Sequence, residues 1–112
     1  MFKYVLVASA LAALAAVGSA QEALLGACNN ADYKGNCRGW AGNLKTCHGF
    51  TNEWNDVISS IWVQHDKGYV CKIYRDAGCK GDGPQFDANT PIRNLQDHYF
   101  NDMASSYYCW LS

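Results

Sequence analysis

Sliding the sequence by 46 residues lays Asn55-Asp56-Val57-Ile58-Ser59-Ser60 on Asn101-Asp102-Met103-Ala104-Ser105-Ser106. At the same offset Lys34 meets Lys80, Gly35 meets Gly81, Trp40 meets Phe86, Asn43 meets Asn89 and Trp54 meets Phe100. Apolar positions repeat too, Leu24 with Val70 and Ala27 with Ile73. Such a chain is a tandem pair of units, and neither unit is long enough to bury a core alone. The two must share one core.

Residues 1–20 stand outside the repeat. Met1-Phe2-Lys3 is a short positive start, residues 4–17 are an apolar run short for a membrane span, and Gly18-Ser19-Ala20 offers a small-residue cut. A signal peptide over 1–20 is expected, and a retained anchor is disfavoured because no second basic cluster follows. Cleavage leaves 92 of the 112 residues, 21–112, as a single domain with eight basic and ten acidic side chains. Lacking any basic patch or run, it is poorly suited to nucleic acid. Six cysteines, Cys28, Cys37, Cys47, Cys71, Cys79 and Cys109, in so short a secreted chain read as a disulfide framework rather than as catalytic thiols. They allow fifteen pairings. The offset never lands Cys on Cys, so bridges between the units stay open. No N-glycosylation sequon occurs, since Asn89-Thr90 is followed by Pro91.

Glycine-marked turns separate short stretches such as Ile61-Trp62-Val63 and Tyr69-Val70-Cys71-Lys72-Ile73-Tyr74. Alternation without a helical stripe predicts an all-β domain of short strands.

The repeated hexapeptide gathers a carboxamide, a carboxylate and two hydroxyls. These are hard oxygen groups of the kind Ca²⁺ selects. One copy alone would read as turn capping. A second copy in register, each just ahead of an apolar strand, favours calcium. Because one loop cannot supply six or seven ligands, two loops must cooperate.

This motif, N/D-N/D-x-x-S/T-S, resembles the calcium signature of the microbial-type βγ-crystallins. That family also carries an aromatic, four residues, a second aromatic, one residue and Gly in its first hairpin. Unit two has Tyr74, Cys79 and Gly81 at those places, and unit one has Cys28, Tyr33 and Gly35. Each keeps one aromatic and replaces the other with Cys. The resemblance spans residues 24–111. It implies a disulfide-stabilised βγ-crystallin-like sandwich of two intertwined Greek keys (about 24–66 and 69–112) that exchange their third strands. It also implies two Ca²⁺ sites shared crosswise. One would use Asn55, Asp56, the Val57 carbonyl and the Ser105 hydroxyl; the other would use Asn101, Asp102, the Met103 carbonyl and the Ser59 hydroxyl. A hairpin carbonyl, Ala31 or Ala77, would complete each shell. With one carboxylate per loop, dissociation constants of about 10⁻⁵–10⁻³ M are expected, useful outside the cell and mainly stabilising.

Other residues point less firmly to chemistry. His48, His65 and His98 lack zinc-ligand spacing. Glu53, His98 and Arg93 only loosely suggest a ribonuclease-like set, so no enzymatic activity is expected. Trp40, Trp54, Trp62 and Trp110, with Tyr107 and Tyr108, could form a sugar-stacking platform. Matching across the units (Trp40/Phe86, Trp54/Phe100, Trp62/Tyr108) favours core or corner packing instead. The expectation is a secreted, monomeric, calcium-binding protein with no membrane span. Two rivals share the fold. One is a secreted toxin, antimicrobial or host-directed effector, which the charge near −2 disfavours. The other is a protease inhibitor, with Lys80–Pro84 as its candidate loop.

Overall fold

The computed structural model describes residues 22–64 and 68–112. The expected signal peptide and His65 lie outside them. The described residues form seven strands, in order β1 Glu22–Asn30, β2 Lys34–Gly42, β3 His48–Gly49, β4 Ser60–Val63, β5 Tyr69–Tyr74, β6 Gln85–Asp87 and β7 Ser106–Leu111. Two short 3-10 turns cover Ala31–Tyr33 and Leu95–His98. One sheet has the order β2-β1-β4 and the other β3-β7-β5-β6, and every paired strand is antiparallel.

The sheets mix the two units. Strand β3, from unit one, pairs with β7 of unit two through His48↔Tyr107 and Gly49↔Ser106. In return, Ile92 of unit two bridges Ile61 in β4, with both backbone hydrogen bonds at 2.9 Å. Each Greek key thus has its edge completed by the other, the interlocking that two core-poor units require.

Between the sheets lies a core that includes Leu24, Leu25, Ala27, Trp40, Ile58, Ile61, Ile73, Phe86, Leu95 and Phe100. Adjacent Leu24 and Leu25 are both fully buried because the register shifts between Ala23 and Leu25. Such a bulge lets two consecutive side chains leave the strict alternation of a strand. Trp40 meets Phe50 and Trp54 edge-on, each at 5.2 Å between ring centroids. The repeat-matched pairs Trp40/Phe86 and Trp54/Phe100 are therefore core residues. Trp62/Tyr108 is not: both rings are only half-buried. Ile61 and Val63 take the inward positions of β4, and alternation turns Trp62 outward.

Three disulfides form. Cys28–Cys37 and Cys71–Cys109 join directly opposed residues of neighbouring strands within one unit. Cys47–Cys79 alone among them crosses between the units.

Buried Tyr107 gives the fold a pH limit. Burial pushes its phenol up to about 12, from an ordinary value near 10. A raised pKa means the stability from the neutral ring is intact below pH ~10 and lost as pH climbs through about 12. Urea midpoints measured across that window should fall, and Tyr107→Phe should flatten the fall.

Candidate metal centre

Each hexapeptide forms a loop leading into a strand, and the two loops hold each other. Asp56 and Asp102 sit in the left-handed region, with φ of 62° and 57°. This conformation is disfavoured for residues with a Cβ and needs support from its surroundings. The support comes from the opposite unit. The Asp56 amide donates to the Ala104 carbonyl, and the Asp102 amide to the Ile58 carbonyl, both at 3.0 Å.

The side chains cross in the same way. Ser105 Oγ donates to Asp56 Oδ1 at 3.1 Å, and Ser59 Oγ donates to Asp102 Oδ1 at 3.3 Å. The structure thus joins each aspartate to the first serine of the other unit. Asn55 and Val57 are exposed beside the first pair, Asn101 and Met103 half-buried beside the second. Ala31 lies in the Ala31–Tyr33 turn and Ala77 is exposed in the segment between β5 and β6. Neither alanine is placed by the hydrogen bonds that form the crossed pairs.

The donor set fits a hard cation. Carboxylate and hydroxyl oxygens already 3.1–3.3 Å apart are spaced to share one ion at roughly 2.3–2.6 Å each. Among the described residues no group of three or more His, Cys, Asp and Glu assembles. Each site would therefore rest on one carboxylate and neutral oxygens, a composition suited to Ca²⁺ at the weak end of its affinity range.

The second serine of each motif has a different task, which the sequence reading missed. Ser60 and Ser106 are fully buried. Ser60 Oγ donates to the Asn30 carbonyl at 2.7 Å and accepts from the Tyr33 amide at 3.2 Å. Ser106 Oγ donates to the Asp76 carbonyl at 2.6 Å and accepts from the Cys79 amide at 2.9 Å. Every partner maps onto its counterpart at the 46-residue offset, so the repeat carried the signal. These hydroxyls staple the hairpins to the strands that follow the loops. Ser60→Ala or Ser106→Ala leaves a carbonyl and an amide without that partner, and each should cost about 1–3 kcal/mol in chemical denaturation.

The segment between β5 and β6 is exposed yet braced. Asp76 bridges Lys80, the Arg75 amide donates to the Asp82 carbonyl at 3.3 Å, and Cys79 is tied to Cys47. A Cβ on Gly83 would fall 1.7 Å from the Ile73 carbonyl oxygen, so only glycine lets the chain return this close to β5. Arg75, Asp76, Lys80 and Asp82 all face solvent.

The remaining candidates serve locally. Arg93 is engaged by Asp32, with Nη2 2.7 Å from Oδ1. His48 stacks on Tyr107 with Nε2 3.0 Å from the Asn43 carbonyl. His98 is exposed in the second 3-10 turn.

Residues 27–86 match the model of a family described as peptidase inhibitor family I36. Solved structures match along most of the chain. A domain from work on the evolution of the eye-lens βγ-crystallin fold aligns with a TM-score of 0.67 at 18% identity, covering 85% of this chain and 92% of its own. A βγ-crystallin domain from Flavobacterium johnsoniae gives 0.61 at 20% identity, covering 80% and 96%. One from Clostridium beijerinckii gives 0.58 at 15%, covering 78% and 97%. These likenesses establish the βγ-crystallin fold. No curated protein matches the chain.

Proposed function

The chain belongs to peptidase inhibitor family I36, and we propose that it is an extracellular, non-catalytic binding protein whose two Greek keys are clamped by two Ca²⁺ ions. The crossed Asp56–Ser105 and Asp102–Ser59 pairs carry this reading. Residues from both units converge at each pair, so an ion there would bind the native state and not the unfolded chain. Asp56 and Asp102 would supply the charge, Ser105 and Ser59 the neutral oxygens, and each bound cation would offset the one carboxylate at its site. Three disulfides and the expected leader support an extracellular setting. Among the described residues no helix is long and apolar enough to cross a membrane. Melting the protein with calcium and with a chelator tests the clamp.

Family membership favours a second, compatible reading: inhibition of a peptidase. The braced hairpin offers the segment Lys80–Pro84, exposed from Lys80 to Asp82, without a large ordering cost on binding, which is how preorganisation raises affinity. Screening the protein against secreted metallo- and serine peptidases tests this. Lys80→Glu with Asp82→Lys should weaken any inhibition by roughly tenfold or more while the melting temperature holds. Inhibition unchanged in that variant would place the contact elsewhere.

A further inference from the structure

Trp62 and Tyr33 form an aromatic corner that neither the calcium loops nor the β5–β6 hairpin uses. Trp62 lies against β1, where Gly26 is its cross-strand neighbour. A Cβ at Gly26 would fall 2.3 Å from the indole Cζ2, so the ring reaches this position only over glycine. Tyr33 meets it edge-on, centroids 5.5 Å apart and planes at 87°. The set of Tyr33 comes from its backbone: Asp32 and Tyr33 are consecutive left-handed residues, with φ of 61° and 60°. Such conformations persist only where neighbours hold them, and here the Asp32 amide donates to the Arg93 carbonyl at 2.7 Å. Pro91 closes a third side, giving a cleft of about 250 Å³ lined by Tyr33, Trp62 and Pro91. Beside it the Asp32–Arg93 ion pair is 46% and 73% exposed.

The repeat supplies an internal comparison. At the offset positions unit two carries Lys72 for Gly26, Tyr108 for Trp62 and disulfide-bonded Cys79 for Tyr33. The same scaffold therefore folds without this corner. It is a property of unit one, beyond what the Greek key needs.

We propose that this cleft binds one pyranose ring of a neutral polysaccharide, stacked on Trp62 with its hydroxyls on the Asp32–Arg93 rim. The C–H face of a sugar ring suits the negative face of an indole. Three residues, Tyr33, Trp62 and Pro91, line this shallow, open cleft, an apolar platform of the size of one sugar ring. Charge decides the rest. Asp32 and Arg93 already neutralise each other, so the rim carries no net charge to attract an ionic ligand. A polyol instead uses the carboxylate lone pairs and guanidinium N–H groups that remain.

The test is an NMR titration of the intact protein with cellohexaose, laminarihexaose, mannohexaose and chitohexaose, following the Trp62 indole N–H. At least one should shift it saturably in the millimolar range. Trp62→Ala should abolish the response at the remaining resonances of the cleft. Arg93→Ala, at an exposed site, should weaken binding by roughly tenfold, and Gly26→Ala should do so by displacing the ring. Tyr108→Ala should change nothing. The proposal is overturned if no sugar moves the indole signal at about 10 mM, or if the response survives Trp62→Ala. It is equally overturned if a polyproline peptide or self-association moves that signal where the sugars do not.

Discussion

Adding 10 mM Ca²⁺ should raise the melting temperature by about 10 °C or more, and a chelator should reverse the rise. At a hundredfold excess over the dissociation constant, one native-state site contributes about 2.7 kcal/mol. In a domain of this size each kcal/mol shifts the midpoint by roughly 4–8 °C. Asp56→Ala and Asp102→Ala should each remove about half the rise, and the double variant nearly all of it. The crossing makes a sharper demand. Ser105→Ala should reproduce Asp56→Ala, because Ser105 is the serine bonded to Asp56, whereas Ser59→Ala should reproduce Asp102→Ala. A double-mutant cycle in calcium should couple Asp56 to Ser105 and leave Asp56 and Ser59 additive. Wild-type protein that melts identically with calcium and with chelator would refute the clamp, and coupling within a unit would refute its crossed geometry.

Cutting the Cys47–Cys79 bridge should have the second large effect. It closes the chain across a sequence separation of 32, which in the chain-entropy account contributes about 3–4 kcal/mol. Cys28–Cys37 spans only 9 residues and should contribute nearer 2–3 kcal/mol by the same account. The difference in kind matters more. The short bridge pins two strands already paired by hydrogen bonds, while Cys47–Cys79 fastens one unit's long loop to the other unit's hairpin. Cys47→Ala/Cys79→Ala should therefore lower the denaturation midpoint more than Cys28→Ala/Cys37→Ala. If that hairpin also contacts a peptidase, the Cys47/Cys79 variant should lose inhibition at temperatures where it is still folded.

Much of this molecule was legible in the repeat. An offset that superposes two loops also superposes the strands around them, so the paired units and the shared core followed from residue types alone. The exchanged edges and the Asp–Ser crossing followed from the family resemblance, and the structure has β3 on β7, Ile92 on Ile61 and both Asp–Ser bonds. What stayed hidden depended on direction rather than identity. Ser59 and Ser60 are neighbours of one type, yet alternation sends one toward Asp102 and the other under its own unit's hairpin. Trp62 matched an aromatic in the partner unit, but a match at one offset does not say which face of the sheet it occupies. Disulfide pairing stayed open because the cysteines break the repeat, leaving fifteen arrangements with no symmetry to choose among them. Asp32–Arg93 was out of reach because it joins residues 61 apart and no repeat or spacing links the two.

The exchange of edge strands has a kinetic consequence. His48 and Gly49 find their strand partners at Tyr107 and Ser106, almost at the end of the chain. The four-stranded sheet cannot close until those residues are available. Pairing over such separations delays the transition state until most of the loop entropy has been lost, which makes folding slow. Strand β3 of unit one is therefore left without its partner until residues 106 and 107 have emerged. A sheet that stays open this long suits the export proposed above.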